Sequence, residues 1–309
     1  RTAQKGRRES NMKKIAVFGG TGLIGNALCR SLSDEFDVTV LSRGKSADTL
    51  NEKKIHFVRY EAPEKVPVED YDIIINLAGE PILGGRWTEE KKRKISESRK
   101  DFTQKISNAI LAADRKPELF ICASAIGFYG MYEEGPEFTE DSDSGNDFLS
   151  LTCREWEESA NAGAEKIRTV NARIGIVLSE KGGALSQMLT PFRLFAGGPV
   201  GSGKQFMSWI HVTDAVNAFR FIIQNSNIKG PVNLTSPLPS SNAEFSRVLG
   251  KVLHRPSWLP VPETALRILF GDGAEIVLKG QKVLPKRLLD SGFLFQFSNL
   301  ESAMKNLLG

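Results

Sequence analysis

The segment Ile15-Ala-Val-Phe18 is a short apolar run that leads directly into Gly19-Gly-Thr-Gly22-Leu-Ile-Gly25. Apolar residues then recur at Leu28 and Leu32, at the spacing of a helix that packs on a sheet. This order of strand, glycine turn and helix gives the glycine pattern its meaning, because a helix N-terminus offers unpaired N–H groups to a phosphate. The stretch therefore predicts a dinucleotide-binding turn at the start of an α/β fold.

Apolar strands and helical patterns alternate after this turn. The three consecutive isoleucines at 73–75 imply a strand that is buried on both faces, which is typical of parallel sheets with right-handed crossovers. We predict a doubly wound parallel sheet of about seven strands in the order of an NAD(P)-binding Rossmann fold. The predicted strands are 15–18, 38–41, 55–60, 73–77, 119–124 and 169–174, and helices are predicted at 88–114 and 147–164.

The alternation loosens after residue 175, where Gly and Pro become frequent between Gly182 and Gly203 and again from Pro231 to Pro262. We interpret these stretches as loops and short elements. Helical patterns return towards the end, and the last one begins with a predicted capping box, Ser298-Asn-Leu-Glu301. The sequence thus predicts an NADP-binding domain at 12–175, and remaining sheet elements with a small, mostly helical C-terminal substrate lobe at 176–309.

Composition favours an ordinary globular protein, since 40% of the 309 residues are hydrophobic and 25% are charged. Residues 1–11 hold most of the net charge of +4, and we interpret them as a cloning remnant rather than a nucleic-acid-binding arm. Three cysteines give no paired framework, three histidines give no metal-ligand spacing, and no apolar run approaches the ~18–20 residues of a membrane span. We expect a cytoplasmic protein without nucleic-acid or membrane partners and without a metal. Its expected partner is a small-molecule substrate, and a homodimer is compatible with the sequence.

The second strand ends at Ser42-Arg43-Gly44-Lys45, where NAD-specific sites place an acidic residue against the ribose. Arg43 and Lys45 would instead pair with a 2′-phosphate, so the pattern favours NADP(H). The alternative is that Arg43 is a surface residue of a turn. The predicted cofactor-binding residues are Gly19, Gly20, Thr21, Gly22, Leu23, Ile24, Gly25, Ser42, Arg43, Lys45, Leu77, Ala78 and Gly79.

Several longer motifs narrow the relationship: GGTGLIG (19–25), NLAGEPI (76–82), RWTEEKK (86–92), SAIGFYG (124–130), WIHVTD (209–214) and GQKVLPKRLLDSGF (280–293). With them the chain resembles the atypical and extended short-chain dehydrogenase/reductase superfamily, and within it the NAD-dependent epimerase/dehydratase-like branch of the SDR 39U type. Bacterial members are often labelled sugar-nucleotide epimerases. The resemblance runs from Met12 to the C-terminus and implies the Rossmann fold, an NADP-type cofactor and a small C-terminal domain.

The catalytic pattern of that superfamily is incomplete here. The resemblance implies a Ser that holds the substrate oxygen, and Ser124 matches it. The Tyr-x-x-x-Lys motif, in which Tyr carries the proton and Lys lowers the pKa of Tyr, is replaced by Phe148-Leu-Ser-Leu-Thr-Cys-Arg154. Ser150 and Arg154 lie four residues apart and could fill the two places, although a serine is a far poorer proton donor than a phenol.

Two other residues are candidates for the proton transfer. Tyr129 is the nearest phenol, and its alternative role is to shape the pocket. Glu80 follows NLAG at the predicted carboxyl edge of the sheet, and its alternative role is to bind a loop backbone. The predicted catalytic set is therefore Ser124, Tyr129 and Glu80.

We assign the remaining polar residues either to substrate binding or to structural roles. The pair His211 and Asp214 is typical of a hydrolase only if Ser124 lay in a nucleophile elbow, and the flanking glycines are missing. We therefore interpret His211 as positioning a loop and Asp214 as capping the next helix. Lys204 follows Gly201-Ser-Gly, which lacks the frame of a P-loop. The predicted substrate-binding residues are Arg86, Trp87, Arg173, Lys204, Gln205 and Trp209.

Two function classes remain open from the sequence. The first is an NADP(H)-dependent oxidoreductase or epimerase-like enzyme that acts on a small polar substrate, of which nucleotide-linked sugars are one class. The second is a non-catalytic NADPH-binding redox sensor or regulator that retained the cofactor half. The missing Tyr-x-x-x-Lys favours the second class, whereas Ser124, Glu80 and the long loop before Trp209 favour the first.

Overall fold

The computed structural model describes residues 12–44, 55–82 and 85–309. Its strands, numbered in chain order, are β1 (Lys14–Phe18), β2 (Asp37–Ser42), β3 (Ile55–Arg59), β4 (Ile73–Asn76), β5 (Leu119–Ala125), β6 (Glu137–Phe138), β7 (Arg168–Ile174), β8 (Ile176–Leu178), β9 (Phe206–Met207), β10 (Trp209–His211), β11 (Gly230–Leu234), β12 (Ser240–Ser241) and β13 (Lys282–Val283). Seven of them form one parallel sheet in the order β11-β7-β5-β4-β1-β2-β3. The predicted doubly wound Rossmann sheet is confirmed.

Helices cover both faces of this sheet. They are α1 (Leu23–Leu32), α2 (Glu89–Glu97), α3 (Lys100–Ala112), α4 (Phe148–Asn161), α5 (Gly183–Arg193), α6 (Val212–Gln224), α7 (Asn242–Leu253), α8 (Glu263–Phe270), α9 (Glu275–Leu278), α10 (Lys286–Asp290) and α11 (Leu300–Leu308). Single 3₁₀ turns lie at Pro63–Lys65, Val68–Asp70, Ile126–Tyr129 and Asp272–Ala274. Helices α1 and α6 share one apolar core, and α3 and α4 share the core on the opposite face.

The alternation of side chains along β1 explains why the core is two-sided. Ile15 and Val17 point into the core with α1 and α6, whereas Ala16 and Phe18 point into the core with α3 and α4. All four residues are fully buried. A strand of this kind needs apolar residues at successive positions, which is the pattern that predicted a parallel sheet.

The single helix predicted at 88–114 was wrong, because the structure divides it into α2 and α3 at Ser98-Arg99. The hydroxyl of Ser98 accepts a hydrogen bond from the backbone N–H of Glu80 (3.0 Å) and donates one to the carbonyl of Ile95 (3.1 Å). The chain therefore turns at this point to hold the loop that follows β4. Side chains of this type offer the backbone an alternative to continuous helix.

The stretch from Pro231, which was predicted as loops and short elements, begins within a strand of the central sheet. Strand β11 contains Pro231 and occupies an edge of the central sheet, where it pairs with β7 alone. A proline is compatible with an edge strand, because the missing N–H is not needed by a second neighbour. The glycine and proline count therefore hid the seventh strand.

The C-terminal lobe is mostly helical and packs α5, α7 and α11 around a separate apolar core. Helix α11 begins one residue later than the predicted capping box, since Asn299 is the N-cap and accepts hydrogen bonds from Glu301 and Ser302. An amide oxygen at this position serves as well as the predicted Ser298 hydroxyl. Among the residues described, no helix has the length and apolar character needed to cross a membrane.

Candidate functional site

The glycine turn between β1 and α1 leaves no space for a side chain at Gly19 or Gly25. Gly19 has a φ of +75°, and a Cβ at this position would lie 2.7 Å from the carbonyl carbon of Leu77. A Cβ on Gly25 would lie 2.3 Å from the carbonyl oxygen of Gly19. Gly22 is the N-cap of α1 and makes no side-chain cap, so the first N–H groups of the helix remain open to a phosphate. The turn therefore fits the pyrophosphate of a dinucleotide.

Replacing Gly22 by valine is expected to weaken dinucleotide binding by at least about tenfold, because the branched side chain would occupy the space above the helix N-terminus. Folding should be preserved, since Gly22 has a φ of −72° and a Cβ there meets only the Gly19 carbonyl oxygen, at 3.3 Å. Calorimetric titration gives the affinity, and chemical denaturation gives the control. Wild-type affinity in a folded variant would mean that the turn is only structural.

The end of β2 carries the residues predicted to distinguish NADP from NAD. The hydroxyl of Ser42 accepts a hydrogen bond from the N–H of Gly44 (3.3 Å). Arg43 is exposed and has no ion-pair partner in the part of the chain that the structure describes. Lys45 lies outside the described residues. The guanidinium of Arg43 is thus available to an anionic group, as a 2′-phosphate site requires.

The loop after β4 is fixed on both sides of Glu80. Ser98 binds its backbone N–H, and the guanidinium of Arg99 donates to its carbonyl oxygen (3.0 Å). The carboxylate of Glu80 pairs with Lys91 at 2.8 Å, and this hydrogen bond holds the pKa of Glu80 below its ordinary value. Arg99 also packs against Gly79, where a Cβ would lie 3.3 Å from the guanidinium carbon. Glu80 is therefore an ionised residue in a rigid loop.

A buried polar network lies at the carboxyl ends of β5 and β7. The hydroxyl of Ser124 donates to Glu157 Oε1 (2.6 Å), and Arg173 binds both oxygens of the same carboxylate at 2.8 and 2.9 Å. Arg173 also donates to the hydroxyl of Tyr129 (2.9 Å), which in turn donates to Asn233 Oδ1 (2.6 Å). All five side chains are buried. The structure thus brings together three predicted site residues, Ser124, Tyr129 and Arg173.

Tyr129 is fully buried in this network, stacked on Phe138 with ring centroids 5.2 Å apart. Burial raises the pKa of Tyr129 to about 12, although the charge and hydrogen bond of Arg173 act in the opposite direction. The phenol therefore stays protonated throughout the physiological range. Its hydroxyl already has a donor and an acceptor within the protein.

The first residue of α4 is Phe148. Its ring meets the edge of Trp87 with centroids 5.5 Å apart. Trp87 donates from Nε1 to the carbonyl of Ile82 (3.0 Å) and bridges to Gly271 of the C-terminal lobe. Arg86 packs over the same glycine. Predicted substrate residues Arg86 and Trp87 therefore lie where the lobe meets the loop after β4.

The other predicted substrate residues lie elsewhere. Lys204 is exposed and pairs with Glu134 at 2.6 Å. Gln205 is buried and donates to the carbonyls of Val200 and Val277. Trp209 is fully buried in the core of the C-terminal lobe. None of these three side chains makes a hydrogen bond to Ser124 or to its partner Glu157 among the described residues.

His211 and Asp214 make no contact with Ser124, whose hydroxyl binds Glu157. The two residues also have the reverse of their predicted roles, which were loop positioning for His211 and helix capping for Asp214. His211 is the N-cap of α6 and accepts from the N–H of Thr213 through Nδ1 (3.1 Å), whereas Asp214 accepts from the N–H groups of Gln296 and Phe297. The imidazole caps the helix, and the carboxylate holds the segment that precedes α11.

Neither the cysteine thiols nor the arrangement of metal-ligating side chains supports redox or metal chemistry by the protein's own residues. Burial raises the pKa of the thiols of Cys29, Cys122 and Cys153 to about 12, so none of them is a ready thiolate. The described residues also contain no group of three or more His, Cys, Asp or Glu side chains that could hold a metal ion.

Glu157 was not predicted from the sequence, although a signal was present. Cys153, Trp156 and Ala160 form the buried stripe of α4, and Glu157 falls within that stripe at helical spacing. A carboxylate on a buried helix face requires a partner, which here is Arg173. Asn233 was hidden by the loop prediction after Pro231.

Comparisons with known proteins give consistent relationships. Residues 15–234 match a model described as the NAD dependent epimerase/dehydratase family, and residues 261–307 match a domain of unknown function, DUF1731. The "Epimerase family protein SDR39U1 homolog, chloroplastic" of Arabidopsis thaliana is 42% identical over 308 residues, covering 97% of this chain and 88% of the relative. The epimerase family protein YfhF of Bacillus subtilis is also 42% identical, covering 95% and 97%.

Solved structures agree with these relationships. The human epimerase family protein SDR39U1, crystallised with NADPH, has 33% sequence identity and a TM-score of 0.88 over 96% of this chain and 99% of that chain. A UDP-glucuronic acid 4-epimerase from Bacillus cereus in complex with UDP-glucuronic acid and NAD has a TM-score of 0.75 over 96% and 98% of the two chains. Its 18% identity shows likeness of fold alone.

Proposed function

Because this chain belongs to the NAD dependent epimerase/dehydratase family, we propose that it is an NADP(H)-dependent oxidoreductase or epimerase-like enzyme that acts on a small polar substrate. The observation that carries the proposal is the placement of the Ser124–Glu157 pair at the sheet edge that also carries the glycine turn. In open α/β sheets, ligands bind outside the carboxyl ends of the strands.

The choice of NADP(H) over NAD is supported by Arg43. This exposed guanidinium directly follows β2, whose last residues, Leu41 and Ser42, are not acidic. The human relative was crystallised with NADPH, which agrees with the proposal. The glycine turn would hold the pyrophosphate, and Arg43 would hold the 2′-phosphate.

Replacing Arg43 by glutamate is expected to reverse the cofactor preference. The wild-type protein should bind NADPH more tightly than NADH by about 10- to 100-fold, on the order of the 1.5–3 kcal/mol of charge-assisted hydrogen bonds. Calorimetric titration of both dinucleotides measures the change. Arg193→Glu is a matched control at the exposed end of α5, because it changes the net charge equally and should leave the preference unaltered. Equal affinities for the two dinucleotides in the wild type would refute the assignment.

A proton route that differs from Tyr-x-x-x-Lys is supported by Ser124. Its hydroxyl donates to Glu157, so its oxygen is free to accept a hydrogen bond from a substrate hydroxyl. As the substrate hydroxyl gives its proton to Ser124, the proton of Ser124 would move to Glu157. Arg173 keeps the carboxylate oriented towards Ser124 through two hydrogen bonds. The bound cofactor would supply the chemistry that the protein lacks, the acceptance or donation of hydride.

Tyr129 and Glu80 stay candidates for the same proton with weaker support. The pKa of Tyr129 is about 12, and its hydroxyl is committed to Asn233. Glu80 is ionised and therefore not a ready acid, and its carboxylate binds Lys91 rather than the Ser124 hydroxyl. In this proposal Tyr129 orients Arg173, and Glu80 fixes the loop after β4.

A second candidate function is a non-catalytic NADPH sensor. It is favoured by the absence of Tyr-x-x-x-Lys at the start of α4, and by the complete pairing of the Tyr129 hydroxyl within the protein. Such a protein would have to differ in conformation between its oxidised and reduced complexes.

One experiment separates the two candidates. The protein is purified without added nucleotide, the nicotinamide that accompanies it is identified, and metabolites are then screened for a change in the absorbance of the reduced nicotinamide. Turnover of a polar alcohol or carbonyl compound is the expected result. If no metabolite is turned over and hydrogen exchange of residues 197–209 differs between the NADPH and NADP complexes, the sensor is correct instead.

A further inference from the structure

Two neighbouring segments of the C-terminal lobe expose large apolar side chains to solvent. Leu194 and Phe195 follow the last turn of α5 and are 71% and 62% exposed. Trp258 and Leu259 lie between α7 and α8 and are 77% and 45% exposed. These four residues, called the apolar patch below, expose on the order of 500 Å² of side-chain surface. A patch of this size on a monomer often marks a binding surface.

Close contacts hold the two segments side by side. The carbonyl of Leu259 packs directly on Gly198, where a Cβ would lie 1.9 Å from the carbonyl oxygen. The guanidinium of Arg255 lies over the ring of Phe195, with its central carbon 4.6 Å from the ring centroid. The apolar patch is therefore a single surface with a fixed backbone, so a ligand would lose little free energy in ordering it.

The backbone is strained at this same surface. Among the non-glycine residues that the structure describes, only Phe195 and His254 have a positive φ, of +60° and +54°. Phe195 lies just past the end of α5, and His254 is the C-cap of α7. Glycine is the usual residue at a left-handed helix end, because a Cβ is disfavoured there. An exposed phenylalanine in this conformation adds nothing to the core, which points to a role for its ring at the surface.

The charge at the apolar patch is positive and lacks a counter-charge. Segments 191–199 and 254–261, which carry the patch, contain Arg193 and Arg255 and no acidic residue. Arg255 has no ion-pair partner among the residues described, and its Nε is buried without a hydrogen-bond partner. Its Nη1 donates to the carbonyl of His254 (3.1 Å). The guanidinium is thus open to a carboxylate, which would form charge-assisted hydrogen bonds with it.

These features discriminate among the surfaces that could cover the patch. A second copy of this chain would bring the same arginines, and the patch is smaller than the ~800 Å² that each partner contributes to a stable interface. A lipid bilayer would have to take up Phe195 together with the guanidinium of Arg255, and a charged group in hydrocarbon is costly. A protein segment that carries both apolar and acidic side chains complements the patch and its charge.

We propose that the apolar patch docks a short segment of another protein, with apolar side chains packed on Trp258 and Phe195 and a carboxylate paired with Arg255. Tryptophan, tyrosine and arginine are the residues that most often dominate the binding energy of protein interfaces. The proposal uses no residue of the glycine turn or of the Ser124 network. It is therefore independent of the proposed function and of NADPH.

The test uses the full chain and two synthetic amphipathic helical peptides, one built of leucine and glutamate and the other of leucine and lysine at the same positions. The structure describes all four tryptophans, and Trp258 alone among them is exposed, so acrylamide quenching of fluorescence reports on the patch. The glutamate peptide should shift the emission to shorter wavelength and protect Trp258 from acrylamide. The lysine peptide should do neither.

Phe195→Gly separates docking from folding, because it removes the ring and suits the left-handed φ. It should weaken binding of the glutamate peptide about tenfold or more, the loss typical of an interface anchor, without lowering the urea midpoint of unfolding. Arg255→Glu should weaken this binding by a similar factor, since it replaces the cation by a like charge. Arg154→Glu on the exposed side of α4 is the matched control and should leave the affinity unchanged.

The proposal is overturned if the glutamate peptide does not protect Trp258, or if Arg255→Glu and Arg154→Glu weaken its binding equally. Protection by vesicles of phosphatidylserine and phosphatidylcholine, but not by the peptide, would replace it with a membrane surface. Protection that rises with protein concentration, together with a doubled mass in sedimentation, would replace it with an interface between copies. Phe195→Gly should keep the wild-type affinity for NADPH, so failure of the docking proposal leaves the proposed function untouched.

Discussion

Replacing Ser124 by alanine is expected to lower turnover by about 10²–10⁴-fold, the range for loss of a positioned proton carrier. The affinity for NADPH should change little. Folding should also survive, because the Glu157 oxygen that loses the serine retains its hydrogen bond to Arg173. Steady-state kinetics on a substrate found in the metabolite screen, with calorimetric titration of NADPH, measure both quantities.

Tyr129→Phe and Glu80→Gln are the matched comparisons for this variant. If Ser124 carries the proton, both should retain turnover within about tenfold, and Tyr129→Phe should lose stability because Arg173 and Asn233 lose a partner. A loss of about 10² or more in Tyr129→Phe, with Ser124→Ala nearly unaffected, would assign the proton to the phenol. The same result for Glu80→Gln would assign it to the loop after β4.

Replacing Arg173 by methionine is expected to destabilise the protein by about 3–5 kcal/mol, because it leaves the Glu157 carboxylate buried without its counter-charge. The free energy of unfolding from urea titration measures the loss. The expected loss of stability comes from leaving one charge of the buried Arg173–Glu157 pair without its partner. The double variant Arg173→Met with Glu157→Leu should therefore recover much of the stability.

A surface pair on the same helix provides the control. Arg154 and Glu158 are 3.8 Å apart on the exposed side of α4. Arg154→Met should cost less than about 1 kcal/mol, since solvent-exposed pairs contribute little. If Arg154→Met and Arg173→Met proved equally costly, the buried pair would not be the stabilising element inferred here.

The sequence predicted the sheet well because the signal is local. Each central strand is buried on two faces, so its apolar residues are consecutive, and the glycine turn marks the first crossover. Strand β11 escaped detection because it lies at an edge, where Pro231 is allowed. Propensity alone cannot tell an edge strand with a proline from a loop.

The site was harder to predict because its chemistry depends on distant pairs. The apolar stripe of α4 separates Glu157 from Glu155 and Glu158, but nothing near Glu157 in the sequence shows that it faces Ser124. Arg173 was predicted to bind substrate because an arginine at a strand end is available in principle. The structure gives it the partner Glu157, 16 positions earlier, which no local pattern predicts.

Hydrogen bonds also cross the boundary between the two matched regions of the chain. Asn233 of β11 donates to the carbonyl of Leu284, and Ser208 exchanges hydrogen bonds with Gln281 and Val283. Cutting the chain before residue 261 would leave these buried groups unpaired, together with the Asp214 carboxylate that binds the segment before α11. Sequence families divide this chain in two, but buried hydrogen bonds cross that division, so we expect the region of unknown function, which packs against the edge strand β11, to unfold together with the first region.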